Sequence, residues 1–278
     1  MASGARKGAA SPPRPSASVV IVNAQNEVLL VQRNPKSQSF AGAHVFPGGN
    51  YDSTQDNSLQ ITAIREVFEE TGLLLASSTG SNATPSDAQL DEARESIHAQ
   101  KQLFQDFLSR FHMEADVGSL LPFTQWITPV TVPRRFHTQF YVAFLNSALD
   151  GVLIWRQTGT SSDSGWRTRV LPPGHVGRNP GGKQKHRGSR ETVRSLSEGL
   201  FGRMVINPRA LPEVDPEGRT ILTYEGDETR GGTKGRLHRC LARFGRGGVV
   251  KELTIQRNFD VFTEIEGHLF PAAAGPKL

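Results

Sequence analysis

The chain has 278 residues, 36% of them hydrophobic, and 32 Lys and Arg against 27 Asp and Glu give a formal net charge of +5. That length accommodates one or two domains around an ordinary core, and no run approaches the ~20 apolar residues of a membrane-spanning helix, so no membrane partner is expected. A single cysteine, Cys240, excludes an internal disulfide and fits a reducing compartment.

Residues 1–16 read as a disordered tail. They contain Arg6, Lys7 and Arg14 and no acid, as a mitochondrial presequence does, but Pro12, Pro13 and Pro15 oppose an amphipathic helix. Residues 17–22 and 27–32 read as strands joined by a turn at Asn23 to Asn26. A glycine-rich loop ending in Pro47-Gly48-Gly49 then leads to a helix beginning near Ser58. Ala63, Ile64, Val67 and Phe68 make its apolar face, and Gly72 is its stop.

On the other side of that helix stand Glu66, Glu69 and Glu70. Separations of three and four residues place their carboxylates in one patch of helix surface. Like charges so placed repel by a few tenths of a kcal/mol per pair, roughly the inverse of a favourable i,i+4 pair, and a divalent cation reverses the sign. An oxygen-only donor set suits Mg²⁺ or Mn²⁺ better than zinc. An isolated Glu-Glu pair is more often a solvated face; here Arg65 in front, Gly72 behind and the glycines upstream argue for a site. Arg65 is expected to pair with a glutamate of the set and hold its rotamer, while Gly48 and Gly49 permit close backbone approach to metal or phosphate.

Further along, Leu90, Ala93, Ile97, Leu103, Phe104, Phe107, Leu108 and Phe111 give helical periodicity over Asp87 to His112, a lid or flanking helix. Leu120 to Ile127 and Phe136 to Leu145 read as strands, and Val250 to Val261 as a strand followed by helix. Between Arg156 and Arg194 nine Lys or Arg face only Asp163 and Glu191, an excess of seven that surpasses the charge of the whole chain. The segment at about 156–198 is also rich in Gly, Ser and Pro and reads as a low-complexity, disordered insertion. A basic RNA-binding arm is the functional alternative, and no interleaved aromatics support it, so nucleic acid is not the expected partner.

The string Arg65-Glu66-Val67-Phe68-Glu69-Glu70-Thr71-Gly72-Leu73 resembles the second half of the Nudix signature G-x5-E-x7-R-E-U-x-E-E-x-G-U, with U apolar. The first half departs from it: the expected acid falls at Asn57, and Gly49 lies two residues too far upstream. Asp52 and Asp56 are the available replacements, and Asp52 is preferred. Phe40-Ala41-Gly42-Ala43-His44-Val45-Phe46-Pro47-Gly48-Gly49, together with Trp126-Ile127-Thr128-Pro129 and Pro133-Arg134-Arg135-Phe136, resembles the peroxisomal coenzyme A diphosphatase branch, with His137 where that branch has an acid.

The resemblance implies a Nudix-type α/β/α sandwich with a mixed sheet over residues 17–278, interrupted by the insertion and ending in a flexible tail at about 270–278. It implies a metal-dependent hydrolase that cleaves the pyrophosphate of nucleoside diphosphate derivatives, coenzyme A or acyl-coenzyme A first. ADP-ribose, a dinucleotide or a capped RNA end is the alternative, as is a catalytically weak nucleotide- or RNA-binding module. Glu66, Glu69 and Glu70 would hold Mg²⁺ or Mn²⁺, Glu69 with Arg65 and Glu66 would act in catalysis, and Gly48, Gly49, Arg134 and Arg135 would meet the substrate. Pro276-Lys277-Leu278 is similar to a peroxisomal import address, which makes an import receptor a candidate partner and the peroxisome the expected compartment, with mitochondrion or cytoplasm as alternatives.

Overall fold

A computed structural model describes residues 11–32, 43–79, 84–130, 132, 134–145, 167–171, 182–245 and 250–270. In chain order these form β1 (Arg14–Val22), β2 (Val28–Gln32), β3 (His44–Val45), β4 (Gly48–Asn50), α1 (Leu59–Thr71), β5 (Ala76–Ser78), α2 (Asp87–His98), α3 (Phe104–Arg110), β6 (Met113–Ala115), β7 (Leu121–Ile127), β8 (Phe136–Phe144), β9 (Arg167–Leu171), α4 (Gly182–Glu198), β10 (Val205–Ile206), β11 (Arg209–Val214), β12 (Thr220–Thr223), β13 (His238–Phe244) and β14 (Val250–Arg257). The class is mixed α/β with a mixed sheet, as expected. Pro276, Lys277 and Leu278 lie outside the described residues, and so do residues 156–166 and 172–181 of the expected insertion, whose described parts form β9 and α4. No helix among the described residues is long and apolar enough to cross a membrane.

Two units divide the chain. The first comprises Pro15–Thr124, Thr138–Met204 and Ala274–Leu278. Its sheet runs β8-β1-β2-β3, with β4 paired to β1 and β9 to β2. The strand expected from residue 17 begins at Arg14, because Ser16 and Ala17 find partners in Asn50 and Gly49 of β4 and Tyr51 N–H donates to Pro15 O at 3.1 Å. Asn26, at φ 59°, makes the β1–β2 turn.

Helix α1 starts where Ser58 caps it, accepting from Ile61 N–H at 3.3 Å, and ends at Gly72 in the left-handed conformation, φ 76°. Its buried face, Ala63, Ile64, Val67 and Phe68, packs into one core with Val19 and Ile21 of β1, Tyr141 and Ala143 of β8, and Phe104, Phe107 and Leu108 of α3. Phe68 and Phe107 stack at 5.6 Å between centroids, and each buried ring contributes about 1.5–3 kcal/mol from area alone. That burial fixes α1 in rotation, and thereby decides which way its glutamates point.

The single helix expected over Asp87 to His112 is two. The chain breaks after α2 at Gln100, φ 57°, and restarts as α3 at Phe104. Buried Gln55 holds the break: its Nε2 donates to Gln102 O at 3.2 Å, and its Oε1 accepts from Phe104 N–H at 2.9 Å. The apolar period continues across the break because Ile97 and Phe104 enter the same core, whereas Leu103 is exposed.

The second unit comprises Met1–Arg14, Gln125–His137 and Val205–Ala273. Its antiparallel sheet runs β11-β12-β13-β14, and β10 pairs in parallel with Gln125 and Trp126 of β7. The helix expected after β14 is replaced by turns and a short 3-10 segment at Gly267–Leu269. Cys240 is buried between Leu222 and Ala242, and burial pushes its thiol above the usual range, which removes the basis for a reactive cysteine. Asp227, fully buried at the side chain, caps Thr229 and receives Nε and Nη2 of Arg239 at 2.8 and 2.7 Å. Burial alone would raise its carboxyl, but Arg239 and the N–H groups of His238 and Thr229 hold it below the ordinary 3.8.

A depressed folded pKa gives stability that is present above the unfolded value and lost as pH falls through the folded one. Cys240 is the chain's one thiol, so its reaction with 4,4′-dithiodipyridine is expected to be slow down to the ordinary carboxylate range and to accelerate below it as this sheet opens. An Asp227→Asn variant should move that onset toward neutral pH.

Candidate active site

The first unit brings six of the expected residues together, and does so around Arg65. This arginine, far from being a surface side chain, is only 3% exposed. Its Nε and Nη2 donate to Oδ1 and Oδ2 of Asp56 at 2.8 and 2.9 Å, its Nη1 to Glu66 Oε1 at 3.1 Å and Glu69 Oε1 at 2.7 Å, and Nη2 also to Asn50 O at 3.1 Å. Burial opposes the guanidinium's charge, but Asp56, Glu66 and Glu69 outweigh it and hold its pKa above the usual arginine range.

Asp56 is therefore the early acid of this loop, one position before Asn57. It is buried, and its Oδ2 also accepts from Thr62 Oγ1 at 2.9 Å and Asp52 N–H at 3.0 Å. Asp52, the residue preferred from sequence, turns instead to Thr54: its Oδ1 accepts from the Thr54 hydroxyl at 2.7 Å and N–H at 2.9 Å, which lower its pKa. The loop length left both acids open; only the fold shows which one faces Arg65.

Strand β4 lies against the carboxylates of α1. Gly48 sits at φ 155°, where a Cβ would overlap Ala17 O and Ser18 Cα of β1. Its N–H donates to Glu70 Oε2 at 3.1 Å. A Cβ on Gly49 would overlap the carboxylate of Glu66, so this glycine is the gap into which that side chain fits. Burial pushes the Glu66 carboxyl up to about 7, with Arg65 pulling it down and the charge of Glu69 adding to the rise.

A buried carboxylate lifted this far beside a second acid one helical turn away is the electrostatic situation that a hard cation relieves. Among the described residues no three His, Cys, Asp or Glu side chains converge on one point. Glu69, expected among the ligands, has both oxygens engaged, one with Arg65 and the other 3.0 Å from His98 Nδ1. Glu66 and Glu70 remain at the glycine strand. Two carboxylates, completed by water and substrate phosphate, are a common set for Mg²⁺, so the residues fit such an ion.

Arg134 and Arg135 belong to the second unit. Arg135 spends its guanidinium on the backbone, Nε to Thr128 O at 3.0 Å and Nη1 to Ser11 O at 2.8 Å; Arg134 is exposed. His137 pairs with Gln125 Oε1 at 2.7 Å, and burial lowers its pKa. The acids around Glu225 are absorbed by structure: Glu225 pairs with Arg230 and Asp227 with Arg239.

A mixed sheet, a core-anchored helix and a glycine strand pressed on that helix's carboxylates define an α/β domain that gathers acids at one strand. Residues 53–152 match the family model of the NUDT19 Nudix domain, a span that takes in Asp56 and all of α1. Over those residues the chain resembles a Nudix domain of the NUDT19 branch. It is 26% identical over 181 residues to the acyl-coenzyme A diphosphatase NUDT19 of Xenopus laevis, covering 44% of this chain and 48% of that protein. To its namesake in Gallus gallus it is 24% identical over 184 residues, covering 44% and 49%. The chain thus spans about half the length of these curated relatives. A NUDIX hydrolase structure from Alicyclobacillus acidocaldarius aligns with a TM-score of 0.43 at 23% identity, covering 49% of this chain and 71% of that one.

Proposed function

We propose that the chain is a metal-dependent phosphoanhydride hydrolase that splits the pyrophosphate of a nucleoside diphosphate derivative, with coenzyme A or acyl-coenzyme A as substrate. The observation that carries the reading is the pair Glu66 and Glu70 at the Gly48-Gly49 strand, one of them fitted into the space of a missing Cβ. The coenzyme A assignment is supported by the resemblance to the acyl-coenzyme A diphosphatases of Xenopus laevis and Gallus gallus.

Mg²⁺ or Mn²⁺ bound there would neutralise phosphate charge and acidify water. The protein's own part is positional. Arg65, locked by Asp56, holds Glu66 and Glu69 in fixed rotamers, so little reorganisation remains when the substrate arrives. Gly48 lets the strand lie close against β1, and Gly49 leaves the space that the Glu66 carboxylate occupies. Water adds its oxygen to one phosphorus as the bridging P–O bond breaks, and the bridging oxygen leaves on the other phosphate. Coenzyme A would yield phosphopantetheine and adenosine 3′,5′-bisphosphate.

The test is release of adenosine 3′,5′-bisphosphate from coenzyme A with Mg²⁺ or Mn²⁺, beside ADP-ribose and NADH, for wild type and Glu70→Gln. Removing one charge-stabilising group typically costs about 100- to 1000-fold in rate, so turnover of coenzyme A by wild type and its near loss in the variant are expected. Turnover of another substrate alone would retain the chemistry and reject coenzyme A. No turnover from folded wild type would favour a nucleotide- or RNA-binding module.

A further inference from the structure

Glu69 has a side-chain partner from a second helix, α2. Its Oε1 accepts from Arg65 Nη1 at 2.7 Å, and its Oε2 stands 3.0 Å from Nδ1 of His98, the last residue of α2. With its proton on Nδ1, the imidazole donates to the carboxylate. Glu69 is nearly buried at the side chain, 6% exposed, and the more open His98 ring lies over it.

The backbone that carries His98 is fixed on both sides. Ile97 before it is fully buried in the core with Phe68 and Phe104. After it, Gln100 N–H donates to Ile97 O at 2.9 Å, and the corner up to Phe104 is held by Gln55. Gln55 directly precedes Asp56, the clamp of Arg65. The end of α2 is thus tied to the motif at two places, through Gln55 next to Asp56 and through His98 on Glu69, with Arg65 between them. An exposed ion pair on a mobile element contributes little; here the donor is delivered by a rigid corner to an acceptor that has no freedom left.

We propose that His98 is a positioning residue of this site: by engaging Oε2 it keeps Glu69 on Arg65, so that Arg65 in turn holds Glu66 in its place against the glycine strand. This rests on the function proposed above. Without His98, Glu69 is free to swing off Arg65, and the Nη1 group shared by Glu66 and Glu69 loses its fixed arrangement.

The experiment compares full-length wild type, His98→Ala, His98→Asn and His98→Gln. It measures kcat and KM on whichever phosphoanhydride the wild type splits, the melting temperature, and Mn²⁺ affinity without substrate from the electron paramagnetic resonance of the free ion. Loss of an outer partner of this kind costs about 10- to 100-fold, so His98→Ala should lower kcat and Mn²⁺ affinity about 10-fold. KM should hold within about twofold and the melting temperature within about 2 °C. Asn, whose side-chain N–H reaches the place of Nδ1, should restore both readouts, whereas Gln, whose amide mimics Nε2, should not. In a Glu69→Gln background, His98→Ala should have no further effect on Mn²⁺ affinity.

Wild-type values in His98→Ala, no rescue by Asn, or additive effects with Glu69→Gln would overturn the proposal. A wild type that hydrolyses nothing would defeat the functional reading alone, because the Mn²⁺ cycle reads the His98–Glu69 coupling without turnover.

Discussion

Asp56→Ala is expected to destabilise the first unit by about 3–5 kcal/mol, the cost of removing one partner from a buried ion pair. Arg65 loses both Asp56 oxygens and keeps the Glu66 and Glu69 contacts on Nη1 and the Asn50 carbonyl on Nη2. The N–H of Asp52 loses its side-chain acceptor in the same step, and Thr62 Oγ1 is left with Ser58 O at 3.2 Å. Asp52→Ala removes only a local turn with Thr54 and should change stability by under about 1 kcal/mol. Urea unfolding followed by far-ultraviolet circular dichroism separates the two, and equal losses would mean that Arg65 is not clamped by Asp56.

How far the sequence carried this reading depended on whether the signal was periodic or geometric. Helix α1 was legible in full, because its apolar face, Ser58 cap and Gly72 stop are local, and the orientation of Glu66, Glu69 and Glu70 followed from it. The breaks were less legible. The periodicity of α2 and α3 is continuous although the helix is not, since Ile97 and Phe104 enter one core while Gln55, 45 residues before Gln100, holds the chain open between them. The choice between Asp52 and Asp56 depended on a loop path that spacing does not encode. His98 carries no sequence signal at all: a histidine at a helix end acquires meaning only when Glu69 is found 3.0 Å away. Arg135 shows the other side of the same point: Nε and Nη1 of a phosphate-shaped side chain donate to carbonyls of its own unit, which the sequence does not reveal.

Gly49→Ala is expected to abolish most activity while leaving the fold in place. The added methyl would occupy the position of the Glu66 carboxylate, the far end of a flexible side chain, whose three atoms are its nearest neighbours. The protein adjusts by moving Glu66, at a cost at the low end of the about 1–3 kcal/mol typical of overpacking. The same displacement takes the carboxylate off Arg65 Nη1, 3.1 Å away in the native arrangement, and out of register with Glu70. A misplacement of about 1 Å in a reacting constellation costs on the order of 100-fold, so kcat/KM should fall at least that far with a nearly unchanged melting temperature. The stabilisation that Mg²⁺ gives the wild type in a thermal melt should disappear with it. Gly48→Ala is the control of opposite character: its methyl meets backbone, Ala17 O and Ser18 Cα, at a φ that disfavours any side chain, so stability should fall together with activity. If Gly49→Ala keeps wild-type turnover, Glu66 does not need its place against the strand, and the carboxylate pair at Gly48-Gly49 is not where the reaction is supported.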